Sequence, residues 1–95
     1  MNTKIATKPF AVTQRNSHGK TRIVYLPEVP ENIVDASENL GIQVFLEVCD
    51  DLVCLYTTYD GTDFIESCSN TNGAPRRTLF KLMSRILAMD INENW

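Results

Sequence analysis

The sequence predicts an α+β fold, a mainly antiparallel sheet of about five strands in the order β-β-α-β-β-β-α, with a C-terminal amphipathic helix packed on one face. Three observations predict it. Residues 42–49 alternate with a period of two, and residues 52–59, beyond Asp50-Asp51, are again rich in Val, Tyr and Thr, which reads as a strand pair. Residues 10–25 alternate in the same way on either side of Asn16-Ser17-His18-Gly19. After Pro75, Leu79, Leu82, Met83, Ile86 and Leu87 recur at helical spacing, an apolar stripe that must lie on something apolar.

In the first hairpin Phe10, Val12 and Gln14 alternate toward the turn, Thr21, Ile23 and Tyr25 alternate away from it, and Pro27 is expected to end the second strand. A short helix follows over about Glu31–Leu40, with Ile33, Ala36, Ser37 and Leu40 on one side and Gly41 at its C′ position. Glu31, Asp35 and Glu38 take the solvent side, and Glu31 in the first turn suits the helix dipole. In the next strand Ile42, Val44, Leu46 and Val48 point one way, and Gln43, Phe45, Glu47 and Cys49 the other. A two-residue Asp50-Asp51 loop sets Val48 against Val53, Leu46 against Leu55 and Ile42 against Tyr59. The opposite face then pairs Phe45 with Tyr56 and Glu47 with Cys54, so one register sorts both strands.

Asp60-Gly61-Thr62-Asp63 is a turn, and Phe64 to Ser69 forms a third strand whose register is open. A two-residue Asp60-Gly61 loop turns Phe64 inward together with Glu66; a three-residue loop turns Ile65 and Ser67 inward. The last helix begins near Pro75, with Gly73 or Asn72 as cap, and Arg77, Lys81 and Arg85 form a basic ridge beside its apolar stripe. Residues 1–95 form a single compact domain, with 1–7 and 92–95 expected to fray.

Apolar residues at 43% and charged residues at 22% are ordinary globular values. No apolar run approaches the ~18 residues that cross a bilayer, and the first ten residues lack the apolar core of a secretory signal. A cytoplasmic location is expected. Cys49, Cys54 and Cys68 form neither a C-x-x-C pair nor an even framework, and read as reduced, half-buried strand residues.

Charge is segregated along the chain. Residues 1–22 carry Lys4, Lys8, Arg15, Lys20 and Arg22 and no acid; residues 23–75 carry ten of the twelve carboxylates and no base. Arg76, Arg77, Lys81 and Arg85 then stand against Asp90 and Glu93, so the blocks run +5, −10 and +2 within a net charge of −3. Segregation of this kind concentrates potential on particular surfaces and steers encounters with oppositely charged partners.

Motifs for chemistry are few. His18, the one histidine, sits in a Gly-containing turn in a segment with no carboxylate, which suits a solvated turn residue rather than the base of a nucleophile. Asp50-Asp51 and Asp60-x-x-Asp63 each supply two carboxylates, but strand 52–59 holds them roughly 26 Å apart, too far to share a cation. Cys49 and Cys54 occupy non-opposed positions and lack the partners of a tetrahedral zinc site. No phosphate loop, dinucleotide fingerprint, nucleophile elbow or H-E-x-x-H occurs. Tyr59-Asp60-Gly61-Thr62 is similar to a strand-end segment of tRNA pseudouridine synthases, but that family's catalytic Arg-Thr-Asp is absent, and the likeness implies no activity. An isoelectric point near 5.0 argues against direct nucleic-acid binding by the basic ridge. No cofactor, metal or membrane role is expected.

The acidic middle remains. Internal pairing with the basic hairpin would neutralise part of it, in pairs worth about 0.2–1 kcal/mol each. Carboxylates left over would dock on a basic cleft, and Phe45, Tyr56 and Ile65 on the uncovered sheet face add an aromatic patch rimmed by acid. The leading expectation is a small non-catalytic binding protein that docks on and inhibits a basic, nucleic-acid-handling protein. Expected partner-binding residues are Phe45, Glu47, Asp50, Asp51 and Tyr56, with Asp60 and Asp63 second because they lie at the far end of the sheet. Acidic single domains of this size recur among phage anti-defence proteins, anti-CRISPR proteins and toxin-immunity proteins, an analogy of size and charge. The alternative is a self-associating module whose open sheet face pairs in a two-fold dimer.

Overall fold

The computed structural model describes residues 5–93, with side chains described through Met89. The elements are β1 (Thr7–Arg15), β2 (Thr21–Pro30), α1 (Glu31–Leu40), β3 (Phe45–Cys49), β4 (Leu52–Tyr59), β5 (Thr62–Ser69) and α2 (Ala74–Glu93). The strands form one sheet in the order β2-β1-β3-β4-β5. Neighbours are antiparallel except β1 and β3, which run parallel. A parallel pair cannot be joined by a tight turn. Here β2 and α1 together make the crossover, and they return the chain to the inner side of β1.

The β3–β4 register is the expected one, with Leu46 opposite Leu55, Val48 opposite Val53, Phe45 opposite Tyr56 and Glu47 opposite Cys54. A two-residue loop closes it, with Asp50 in the left-handed region at φ 54°, which a short polar side chain tolerates. The expected start at Ile42 is not observed, and Ile42 does not face Tyr59, because the ladder begins at Phe45. Residues 41–44 spend their backbone groups elsewhere. The Gly41 and Ile42 amides donate to Glu38 O and Ser37 O at the end of α1, the Thr13 amide donates to Val44 O, and Thr57 Oγ1 donates to Gln43 O.

Of the two registers open for β5, the two-residue loop is observed, with Tyr59 opposite Thr62 and Thr57 opposite Phe64. Asp60 at φ 53° and Gly61 at φ 74° supply the two positive φ values that a tight hairpin with right-handed twist requires. Phe64 is therefore buried, and Glu66 turns inward with it, opposite Leu55. Arg85 of α2 makes this acceptable. Its guanidinium donates to Glu66 Oε2 at 2.6 Å and to Ile65 O at 3.2 Å, and stands over the Phe64 ring.

Pro27 does not end β2. The ladder slips there: Lys8 pairs with Val29 but Phe10 with Leu26, so Pro27 and Glu28 bulge opposite Pro9, with Glu28 at φ 56°. Beyond the bulge Val29 is fully buried and Pro30 leads into α1. Helix α1 occupies the expected residues and ends on Gly41 in the left-handed region, but its buried side is centred on Val34 and Ser37, with Ile33, Ala36 and Leu40 half-buried. Lys8 tethers it, reaching Asp35 at 3.0 Å and Glu31 at 3.6 Å. Thr7 pairs with Pro30 and Ala6 O accepts from the Glu31 amide, so residues 6 and 7 are held. Residues 1–4, 94 and 95 of the ends expected to fray lie outside the described residues.

Helix α2 packs on β4 and β5. Leu79, Leu82, Met83 and Ile86 are wholly removed from solvent and meet Phe10, Val12, Leu26, Leu46, Val53, Leu55 and Phe64 of the sheet. Leu87, the last of the stripe, is half-buried. Ala74 and Thr78 are also buried; the Thr78 hydroxyl donates back to Ala74 O at 2.8 Å and lies 2.8 Å from Cys68 Sγ. No helix among the described residues is long and apolar enough to cross a membrane.

Candidate functional site

Alternation along five strands sends a second set of side chains to the face that α2 does not cover. The registers align them in rows. Ile23, Thr13, Phe45, Tyr56 and Ile65 stand directly opposite one another in sequence across β2, β1, β3, β4 and β5. The row crosses the whole sheet, four strand spacings or about 19 Å. Its centre is ordered by aromatic contact: the Phe45 and Tyr56 rings stack with centroids 5.4 Å apart and planes 16° from parallel. The Arg15 guanidinium lies 5.0 Å above the Phe45 ring. Its ends are open, with Ile23 56% and Ile65 61% exposed.

Polar rows flank it. On one side Glu47 stands opposite Cys54, and Cys54 opposite Ser67; on the other Tyr25, 66% exposed, stands opposite Ala11, and Thr58 opposite Asp63. The Thr58 hydroxyl donates to Asp63 Oδ1 at 2.7 Å. Burial pushes the Tyr56 hydroxyl up from its ordinary pKa, and the Glu47 carboxylate beside it adds to the effect. Burial likewise pushes the Cys54 thiol up, with Cys49 and Glu47 contributing. Both groups are therefore held in their neutral, protonated forms, which suits contact and not nucleophilic attack. Glu47, Tyr56, Thr57, Thr58, Asp63, Phe64 and Ile65 line a shallow concavity of about 520 Å³.

The structure sorts the ten carboxylates of the acidic block. Glu31 and Asp35 share Lys8, Glu28 meets Arg76 at 3.5 Å, and Glu66 meets Arg85. Glu38, Glu47, Asp50, Asp51, Asp60 and Asp63 have no ion pair among the described residues. Five of these six are the acids singled out from the sequence as partner-binding. Their grouping differs from the expected one. Asp63, ranked second, lines the same concavity as Glu47 and Tyr56, whereas Asp50 and Asp51 occupy the β3–β4 tip and Asp60 the opposite β4–β5 tip. Ile23, Tyr25, Thr13 and Arg15 also belong to the face and were not singled out.

Other candidate groups are engaged or isolated. The basic ridge of α2 is largely consumed within the molecule: Arg77 donates to Asn72 O and Thr71 Oγ1, both at 2.7 Å, Arg76 and Arg85 are ion-paired, and of the four cations only Lys81 has no such partner among the described residues. His18 lies in the exposed β1–β2 turn, where its amide donates to Asn16 Oδ1. Among the described residues no three His, Cys, Asp or Glu side chains are placed to hold one metal ion. Comparison with protein-family models, curated proteins and solved structures finds no match, so the geometry of this face is what bears on function.

Proposed function

We propose that this chain is a small non-catalytic binding protein that seats its open sheet face on a basic protein and occludes that protein's site. The observation that carries the reading is the sorting of the acidic block. Internal cations take the carboxylates near the helices, while Glu47, Asp50, Asp51, Asp60 and Asp63 of the β3–β4–β5 meander are left without a base. Potential of one sign beside Phe45 and Tyr56 favours a partner of opposite sign, and gives speed and specificity of encounter more than affinity. A protein built to bind a phosphate backbone is such a partner, which makes inhibition of a nucleic-acid-handling enzyme, as in anti-defence or immunity proteins, the functional setting. Three free cysteines suit a reducing, cytoplasmic compartment. The same face also suits self-association, favoured by the near-symmetry of its apolar row.

Affinity capture with the full chain tests the reading. A basic protein should be retained at low ionic strength, lost as salt is raised, and not retained by the variant carrying Glu47→Gln, Asp50→Asn, Asp51→Asn and Asp63→Asn. Capture that is indifferent to both salt and the four substitutions would sink the docking proposal.

A further inference from the structure

We infer that in the isolated protein the open face is covered by a second copy of the chain, packed sheet on sheet about a two-fold axis running along β3. The row Ile23–Thr13–Phe45–Tyr56–Ile65 is nearly the same read from either end: an exposed isoleucine at each edge strand and an aromatic ring at the centre. A surface with that property is complementary to itself, as a two-fold interface requires. Face-to-face sheets keep their strands within about 30° of one another and about 10 Å apart, so strand-aligned pairing needs no unusual geometry.

Charge selects the axis. Along β3, the two-fold operation sets β2 over the partner's β5 and β1 over its β4. Ile23 then meets Ile65 of the other copy, and Tyr25 meets Asp63, whose carboxylate can accept from the phenol. Arg15 stands one strand spacing, about 4.8 Å, from the axis, and therefore beside Glu47 of the other copy; two such pairs neutralise the two glutamates that flank the axis. An axis across the strands, along the row itself, would instead stack β1 and β2 on their own copies and the acidic meander on the acidic meander. That arrangement sets like charges together and is disfavoured.

Size sets the strength. Five strands at about 4.8 Å and roughly seven residues of each at 3.3 Å give a face of about 24 by 23 Å, near 550 Å² per copy. Twice that falls at the low end of specific interfaces, which belongs to reversible complexes and not to obligate dimers. A dimer of micromolar or weaker affinity follows, one that a basic partner seated on the same face would displace. That last exchange rests on the docking proposal above; the dimer itself does not.

Sedimentation equilibrium of the full chain, from low micromolar to near millimolar concentration, tests it. The mass should rise from one chain toward two. Ile23→Asp and Ile65→Asp should each weaken association about tenfold or more, while Lys81→Glu, on the helix side, should leave it unchanged. All three side chains lie at the surface, so each variant should keep its fold, checked by an unaltered thermal midpoint. Arg15→Glu and Glu47→Arg should each weaken the dimer, and the two together should restore it. A monomer throughout the range overturns the proposal, as does a dimer indifferent to both isoleucine variants; a charge-reversed double variant weaker than either single one overturns the β3 axis. A monomer that still captures a basic protein would remove the dimer and leave docking standing, and a dimer that captures nothing would do the reverse.

Discussion

On the side covered by α2, each polar group drawn inward has been answered. Glu66 meets Arg85 at 2.6 Å, the Thr78 hydroxyl returns to Ala74 O, and the Cys68 thiol lies against Thr78. On the open side Glu47 and Asp63 flank an aromatic stack with no cation to neutralise them, and two isoleucines stand more than half exposed at the sheet edges. The two faces belong to the same five strands and share their backbone hydrogen bonds, so backbone propensity cannot account for the difference. Partners account for it: a face with a permanent partner must satisfy its polar groups within the chain, and a face without one need not.

Truncation breaks this comparison most directly. Leu82→Ala or Ile86→Ala, at positions with no residual exposure, should cost about 2–5 kcal/mol in urea unfolding, as transfer and cavity terms add. Ile65→Ala, on the same sheet but 61% exposed, should change stability by no more than about 0.5 kcal/mol when the chain is monomeric. Comparable losses on both faces would mean that the open face is packed against something even in dilute solution.

A smaller effect separates the faces by charge. Arg85→Met removes the one cation facing Glu66, whose side chain is only 24% exposed, and should cost about 1 kcal/mol; pairing it with Glu66→Gln should recover part of the loss. Neutralising Glu47 by Glu47→Gln should not destabilise the monomer, since no ion pair is broken. A Glu47→Gln monomer destabilised as much as Arg85→Met would show that Glu47 has an internal partner after all.

How far the sequence could foresee this follows from where each signal lies. The β3–β4 register was legible because the loop and both alternating runs sit within eighteen consecutive residues, and only one pairing puts Leu46 and Leu55 on the same face. Helix α1 was legible from Glu31 and Gly41, both local signals. The β5 register was not, because turning Glu66 inward is reasonable only once Arg85, nineteen residues on, is known to reach it. The bulge at Pro27 and Glu28 was missed for a similar reason: a proline and a left-handed glutamate look like a strand end until Val29 is seen re-pairing with Lys8. The open face was half legible. Phe45, Glu47 and Tyr56 come from one hairpin, but Thr13 stands beside Phe45 only through the parallel β1–β3 junction, and no local pattern announces a parallel pairing. Ile23, Tyr25 and Arg15 dropped out of the expected site with it.

The finest test of the contrast is the titration of Tyr56. Burial, then the Glu47 carboxylate, raises its pKa above the ordinary 10.0. A phenol whose folded pKa exceeds its unfolded value contributes stability that is fully present below the unfolded pKa and is lost as pH rises through the folded one, so the effect is confined to alkaline solution. Followed by tyrosinate absorbance in the dilute monomer, with Tyr56→Phe identifying the component, Tyr56 should ionise at lower pH in Glu47→Gln than in the unaltered chain. It should still ionise above 10.0, because burial is the larger cause and remains. At dimerising concentration a second sheet over the ring removes more water from the phenol, and the transition should move to higher pH again. An unchanged midpoint in Glu47→Gln would mean that the carboxylate and the phenol are not neighbours in solution, and the acid-flanked aromatic stack would lose its central pair.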